Sequence, residues 1–486
     1  MRSPRHVRVA IIGAGSVVFT KTLVRDILAG PIRDVEFVLM APSTRRTSLI
    51  KRWADRLIEV NSLPATTTVE TDQAAAVAGS DYVITTFQVG GLRATELDYE
   101  IPERYGVDQC IGDTLGPGGV FRALRAIPIA RQVVRDIVGG APGATLLNYT
   151  NPMAMVVWAM RREASVPVVG LCHGVQVTLD LVAGYTGVPK DQIVFESAGI
   201  NHMAWFLRLE HEGRDLYPVL RERFEDPSFY VNEKVRGEMF RQFGYFMTES
   251  TGHLSEYLPY FRKSPEALDL YCDRPAFGGE SGALVRWTRL MASQYTDHDV
   301  LHEGGTGLPG RTDEYGPRII EAIETDVPFH FQGNGINRSA ITNLPADACV
   351  EGPMYADGAG LHPVMVGDLP SQCAALNQTN INVQRLAVEA ALAGDPEALV
   401  HACALDPLTG AVMTLREIRE MASEMLEAQR EWLPQFAGRT IRPTPAISIP
   451  ADVVPAEVPL DPALSIAARY GDVLSPKEAG QTRPTD

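Results

Sequence analysis

Apolar residues in this chain gather in short runs, separated by stretches where they recur every three or four positions. Val7–Ile12 and Val35–Met40 are runs of strand type, and others lie at 82–87, 145–149, 167–171 and 193–200. Between them, Val17–Leu28, 45–60, 121–138, 152–162 and 175–184 carry helical spacing. Pro152 suits a first helical turn, where its missing N–H costs nothing. This alternation predicts βαβ units and hence an α/β fold built on a parallel sheet. In such a sheet, ligands collect beyond the carboxyl ends of the strands. Gly13-Ala14-Gly15, Gln88-Val89-Gly90-Gly91, residues 148–151 and Cys172-His173 each follow a strand run directly. They are predicted to line one edge of one sheet, which packing alone does not explain.

From about residue 195 the pattern shifts to longer, aromatic-rich segments, such as 240–260. The expected organisation is a nucleotide-binding domain over 1–195 and a second, α+β domain over 196–435. The second would carry substrate, metal and self-association surfaces. Beyond about residue 435, prolines at 443, 445, 450, 455 and 459 break any helical period. Residues 436–486 are therefore expected to form a tail or extended arm.

Composition narrows the class only a little. The 486 residues are 45% hydrophobic and 21% charged, an ordinary globular balance. A formal net charge of -16 argues against nucleic acid as the main partner and suits solubility. No apolar run reaches membrane-spanning length, and the start of the chain leads into the first strand without a signal-type core. The six cysteines are scattered, without framework or CxxC spacing, as expected of free thiols in a reducing cytoplasm.

Two sets of residues carry chemistry. The first is the glycine turn. Gly13 permits a tight bend, Gly15 lets a pyrophosphate approach the backbone, and Ser16 and Val17 open a helix whose amides face that anion. The usual third glycine is replaced by Val18, so the fingerprint is incomplete. An acidic residue for the ribose is also missing after the second strand: Ala41 stands there, with Arg45 and Arg46 following. NAD is the expected cofactor, and the two arginines leave NADP open, since they could accept a 2′-phosphate. The second set is Cys172 and His202, soft donors suited to a borderline divalent metal. Their separation in sequence proves nothing, and a lone buried Cys or His is more often a core residue.

Taken together, several segments resemble glycoside hydrolase family 4. They are Ile12-Gly13-Ala14-Gly15-Ser16, Asp113-Thr114-Leu115-Gly116-Pro117-Gly118-Gly119, Asn148-Tyr149-Thr150-Asn151-Pro152, Gly170-Leu171-Cys172-His173 and Gly199-Ile200-Asn201-His202-Met203. The likeness continues through residues 244–250, Glu256-Tyr257 and 377–384, covering about residues 6 to 435. Within the family the chain looks most like the bacterial α-galactosidase branch.

The resemblance implies a Rossmann-like N-terminal domain followed by a second α+β domain, as in lactate and malate dehydrogenases. It also implies hydrolysis of an α-glycoside with NAD and manganese or another divalent transition metal, outside the usual two-carboxylate scheme. Oxidation at sugar carbon 3 makes the carbon 2 proton removable. The metal stabilises the resulting charge, the glycosidic oxygen leaves by elimination, and water adds as the hydride returns. By position in the motifs, Cys172 and His202 would bind the metal and His173 would protonate the leaving oxygen. Asn151, with Asn148 beside it, would bind substrate. Tyr257 is the candidate carbon 2 base, with His253 and Glu256 as possible substitutes. A homodimer or homotetramer in the cytoplasm is expected.

Other readings stay open at this point. Relatives acting on α-galacturonides, α-glucuronides or α-glucosides share these motifs. A polyol or hydroxy-acid dehydrogenase would use the same sheet without the metal pair. A sugar or nucleotide sensor would bind and not turn over.

Overall fold

The computed structural model describes residues 5–294, 296–302, 305–308, 310–459 and 461–463. The side chains of Val17 and Val18 lie outside the described set. Two compact units are present, Met1–Thr444 and Pro445–Asp486.

The first unit is organised by one sheet of twelve strands. In chain order they are β1 (Val7–Ile12), β2 (Val35–Met40), β3 (Thr66–Glu70), β4 (Tyr82–Thr85), β5 (Thr145–Asn148), β6 (Val168–Gly170), β7 (Val194–Ile200), β8 (Met203–His211), β9 (Arg214–Asp215), β10 (Phe329–Ile336), β11 (Cys349–Asp357) and β12 (Gly360–Pro363). The spatial order is β3-β2-β1-β4-β5-β6-β10-β11-β7-β8-β9, with β12 on β11. The first six strands run parallel in the 3-2-1-4-5-6 order of the dinucleotide-binding fold. The strands after β6 add to the same sheet in antiparallel fashion.

The parallel strands are apolar on both faces because both faces are covered. Val9 and Ile11 of β1, Phe37 and Leu39 of β2 and Ile84 of β4 enter one core. Their neighbours Ala10, Ile12, Val38, Met40 and Val83 enter the core on the other face. The period of two thus divides each strand between two hydrophobic layers. An aromatic cluster, including Phe206, Tyr217, Phe224, Phe240 and Phe246, fills a third layer against the helix Gly174–Thr186.

Several sequence expectations are refined. Helices are found at Val17–Leu28, Thr44–Val60, Gly116–Gly140, Met153–Glu163 and Gly174–Thr186. The third begins well before residue 121, because Gly116-Pro117-Gly118-Gly119 is helical where glycines read as loop. Pro152 is the residue before the fourth helix rather than its first turn. The edge strand β3 escaped the pattern, its burial alternating too weakly to mark a face.

The second half also returns to pack on the first. Arg125 is buried, pairs with Asp98 at 2.6 Å and hydrogen-bonds Gln429, which donates to Asp98 at 2.9 Å. Among the described residues no helix is long and apolar enough to cross a membrane. In the unit Pro445–Asp486, the described part of the expected tail forms no strand and has a turn closed by Val453 on Pro450. Residues 460 and 464–486 of that expectation lie outside the described residues.

Candidate active site

One row of paired residues crosses the parallel strands at their carboxyl ends. Met40, Ile12, Thr85, Asn148 and Gly170 are successive partners. The segments that follow, beginning at Ala41, Gly13, Thr86, Tyr149 and Leu171, therefore emerge side by side. The predicted polar edge is present.

At β1, Gly13 has φ 93°, and a Cβ there would lie 2.6 Å from the backbone of Phe87. Only glycine fits this turn. The amides of Gly13 and Ala14 both donate to the Met40 carbonyl at 2.9 Å, which ties the turn to β2. Ser16 is the N-cap of the helix Val17–Leu28, and its side chain makes no capping bond. Val17 begins that helix by its backbone, and its side chain lies outside the described residues. At the ribose edge, Arg45 is exposed and paired with Asp297 at 3.1 Å. Arg46 is exposed as well, its Cβ 3.9 Å from where a Cβ on Gly15 would stand.

The structure does not bring Asn148 to the cavity. Its amide is spent on its own loop, accepting from Thr85 at 2.8 Å and donating to the Thr150 carbonyl at 3.0 Å. Asn151 does reach the cavity wall. Its Nδ2 donates to Asp113 at 3.3 Å, and its buried Oδ1 has no partner among the described residues.

Cys172 follows β6, and His202 occupies the two-residue connection between β7 and β8, where Ile200 pairs with Met203. His202 has φ 60°, a left-handed backbone that a non-glycine residue adopts at a cost of about 1–2 kcal/mol. Its Nδ1 lies 3.0 Å from the Thr114 hydroxyl, and Thr114 in turn donates to Asp113 at 2.7 Å. Its Nε2 faces Glu249 at 3.7 Å. The donor atoms of Cys172, His202 and Glu249 all lie within 4.8 Å of one another. Burial and the nearby His253 lower the His202 pKa to about 4, which leaves a neutral imidazole, the form that ligates metal. Burial, then Glu351 and Glu249, push the Cys172 thiol well above its ordinary range. A cation would reverse that balance, since coordination deprotonates a thiol. A thiol, a neutral imidazole and a carboxylate converging in one buried place fit a borderline divalent metal.

These residues line a cavity of about 280 Å³ with Phe19, Tyr149, Asn151, His173, Arg236 and His253. His173 is the residue before the helix Gly174–Thr186, and its Nε2 contacts the Glu314 carboxylate. That hydrogen bond, against the opposing effect of burial, raises the pKa of His173. Tyr257 is buried behind the wall rather than on it. Its hydroxyl lies 2.5 Å from His253 Nδ1 and 3.4 Å from His202 Nδ1. Burial and then Glu256 raise its pKa well above the ordinary phenol value. Glu256 is committed elsewhere, accepting from the amides of Cys110, Ile111 and Gly112 at 2.8–3.0 Å. His253, which lines the cavity, is thus the neighbour able to contact a substrate.

Sequence reasoning missed Glu249, Asp113, Thr114 and Glu314 as site residues. Each is distant in sequence from the group it supports, so no spacing marks it. Arg286 and Arg338 are basic residues of the second half of the chain. Neither lines the cavity, and Arg286 pairs with Glu280 at 2.8 Å. The arginine on the wall is the buried Arg236, which donates to Thr178 at 3.2 Å.

Sheet order and glycine turn together define an α/β fold of the dinucleotide-binding type, with a cluster of candidate metal donors, Cys172, His202 and Glu249, beside it. Comparison with known proteins takes this further. Residues 8–188 match the model of family 4 glycosyl hydrolases, and residues 197–409 match the C-terminal domain of the same family. An α-galactosidase of Rhizobium meliloti is 42% identical over 88% of this chain and 90% of its own length. One of Bacillus subtilis is 38% identical over 88% of this chain and 99% of its own. The chain belongs to glycosyl hydrolase family 4. The fold is shared with a 6-phospho-β-glucosidase of Thermotoga maritima solved with manganese, NAD+ and glucose-6-phosphate. That structure has TM-score 0.72 and 22% identity, covering 88% of this chain and 99% of that one.

Proposed function

We propose that this protein hydrolyses α-galactosides by an oxidation–elimination–addition sequence using NAD and a divalent metal such as manganese. The observation that carries the reading is that the Gly13 turn and Cys172 leave the sheet at one row of strand ends, and that His202 brings its ring to Cys172 there. The α-galactosidases among its relatives, 38–42% identical, support the choice of sugar. When bound, NAD would take and return the hydride of carbon 3, and the metal would polarise the transient ketone.

The remaining work falls to the chain itself. The turn at Gly13 and Gly15, with Ser16 and Val17 opening the helix, holds the pyrophosphate. Cys172 and His202 hold the metal. Asn151 offers its unpartnered carbonyl oxygen to a sugar hydroxyl. His173, steadied by Glu314, delivers a proton to the leaving oxygen. With its phenol ionised by a bound cation, Tyr257 would receive the carbon 2 proton through His253, whose ring lines the cavity and whose Nδ1 lies 2.5 Å from the Tyr257 oxygen. Asn148 acts indirectly, fixing the loop that carries Asn151. The domain division near residue 195, a cytoplasmic setting and self-association as a dimer or tetramer belong to the same reading; light scattering tests the last.

The buried Arg236 on the cavity wall favours a second reading, cleavage of an α-uronide whose carboxylate it would meet. A panel of nitrophenyl α-glycosides decides between the two, assayed with manganese, a reductant and either NAD or NADP. The galactoside is expected to be cleaved fastest. Undiminished cleavage after removal of both nicotinamide and metal would overturn the proposal.

A further inference from the structure

We propose that Glu249 is a third protein ligand, so that the metal is held by a thiolate, an imidazole and a carboxylate. The inference rests on the metal-dependent reading above and extends it.

The backbone brings Glu249 to this place. Residues 246–248 run alongside β8: Phe206 donates to the Phe246 carbonyl at 2.9 Å, and Thr248 donates to the Ala204 carbonyl at 3.0 Å. The Thr178 hydroxyl pins the Thr248 carbonyl from the other side at 2.8 Å. Glu249 is the next residue, and the β7–β8 connection that carries His202 is its neighbour. One carboxylate oxygen, Oε1, accepts from the Ser250 amide at 2.8 Å. The other, Oε2, is directed at His202 Nε2. The opposite ring nitrogen of His202 already faces the Thr114 hydroxyl, so Nε2 is the atom presented to a ligand. Both oxygens of Glu249 and both nitrogens of His202 are thereby assigned.

The donor set supports the same conclusion: a sulfur, an imidazole nitrogen and a carboxylate oxygen lie within 4.8 Å of one another, a mixture that suits a borderline divalent metal. The packing also protects the carboxylate. A Cβ on Gly174 would lie 2.7 Å from Glu249 Oε2 and 3.0 Å from the Thr248 carbonyl. Gly174 is thus kept small beside the one oxygen the metal needs, while its amide faces the Cys172 sulfur at 3.4 Å.

Cobalt(II) alone is the probe, titrated into full-length, metal-stripped, reduced protein and followed by thiolate-to-cobalt charge-transfer absorption. Wild type is expected to show the band. Glu249→Gln should weaken the cobalt dissociation constant at least about tenfold and keep the band at saturation. Gly174→Ala should do the same by displacing the carboxylate without removing it, so the test survives if Glu249→Gln folds poorly. Cys172→Ser should lose the band. Wild-type affinity in both the Glu249 and Gly174 variants, with the band still dependent on Cys172, would overturn the assignment and leave the metal-dependent reading standing. That outcome combined with lost turnover in Glu249→Gln would make Glu249 a proton-transfer group instead. No cobalt binding by wild type, or a band indifferent to Cys172, would overturn both.

Discussion

His173 and Glu314 form a hydrogen-bonded pair at the cavity mouth, joining the strand end after β6 to a residue far along the chain. The carboxylate raises the pKa of the imidazole, so the protonated form persists to higher pH than in an ordinary histidine. A proton donor must be protonated, so turnover limited by His173 should fall as pH rises through that raised pKa. In Glu314→Gln the fall should begin at lower pH, with kcat reduced about tenfold or more. An unmoved alkaline limb would detach Glu314 from proton delivery. His173→Ala should lose far less on a nitrophenyl galactoside than on an alkyl galactoside, because nitrophenolate leaves without help.

Cys172→Ser should abolish metal-dependent turnover and leave the fold intact, as judged by circular dichroism. Cys172 is a partly exposed residue of the cavity wall, where a serine is close to it in size. Full activity of that variant without added metal would remove Cys172 from the ligand set. Oxidation of wild type should mimic the variant, and reduction should restore it.

Deuterium from solvent should appear at carbon 2 of the released sugar. Proton removal there is the step that an elimination requires and that displacement at the anomeric carbon omits. Product without label, by mass spectrometry or NMR, would exclude the proposed sequence.

Cofactor choice should respond to the edge after β2. Ala41→Asp should strengthen NAD binding and weaken NADP binding about tenfold, by supplying a ribose hydrogen-bond acceptor that repels a 2′-phosphate. Arg46→Ala should weaken NADP more than NAD by calorimetry, since Arg46 backs onto the glycine turn while Arg45 is drawn to Asp297. Equal effects on both nucleotides would end the 2′-phosphate idea.

Asp98→Ala should destabilise the protein by about 3–5 kcal/mol in denaturant unfolding, because it strands the buried Arg125 guanidinium without its counter-charge. Asp98→Asn should cost less.

How much of this was legible beforehand follows from the range of the signals. Periodicity is local, and it located β1, β2, β4, β5 and β6 with the glycine turn and Cys172-His173 at their ends. The row of register partners then follows from the geometry of parallel pairing. Glu249 and Glu314 were invisible because nothing local distinguishes them from other acidic residues; only the pairing of 246–248 with β8 and the fold of the chain around 314 give them roles. Asn148 and Asn151 look alike in sequence. Their difference is one of orientation, since the first bonds inward to Thr85 and the second faces the cavity. Tyr257 lies one hydrogen bond from the cavity residue His253, and a pattern of residues cannot show that His253 stands in front of it.

The row linking Met40, Ile12, Thr85, Asn148 and Gly170 has a last consequence. The glycine turn, the loop of Asn151 and the segment of Cys172 all leave the sheet at this one row of partners, so their spacing is inherited from pairing rather than set by each loop. A shift of β5 by a single rung against β4 would carry Asn151 away from Cys172 by a strand's repeat and turn Asn148 to the opposite layer. Such a chain could remain compact and still be inert, which makes correct strand alignment a condition for chemistry as much as for assembly.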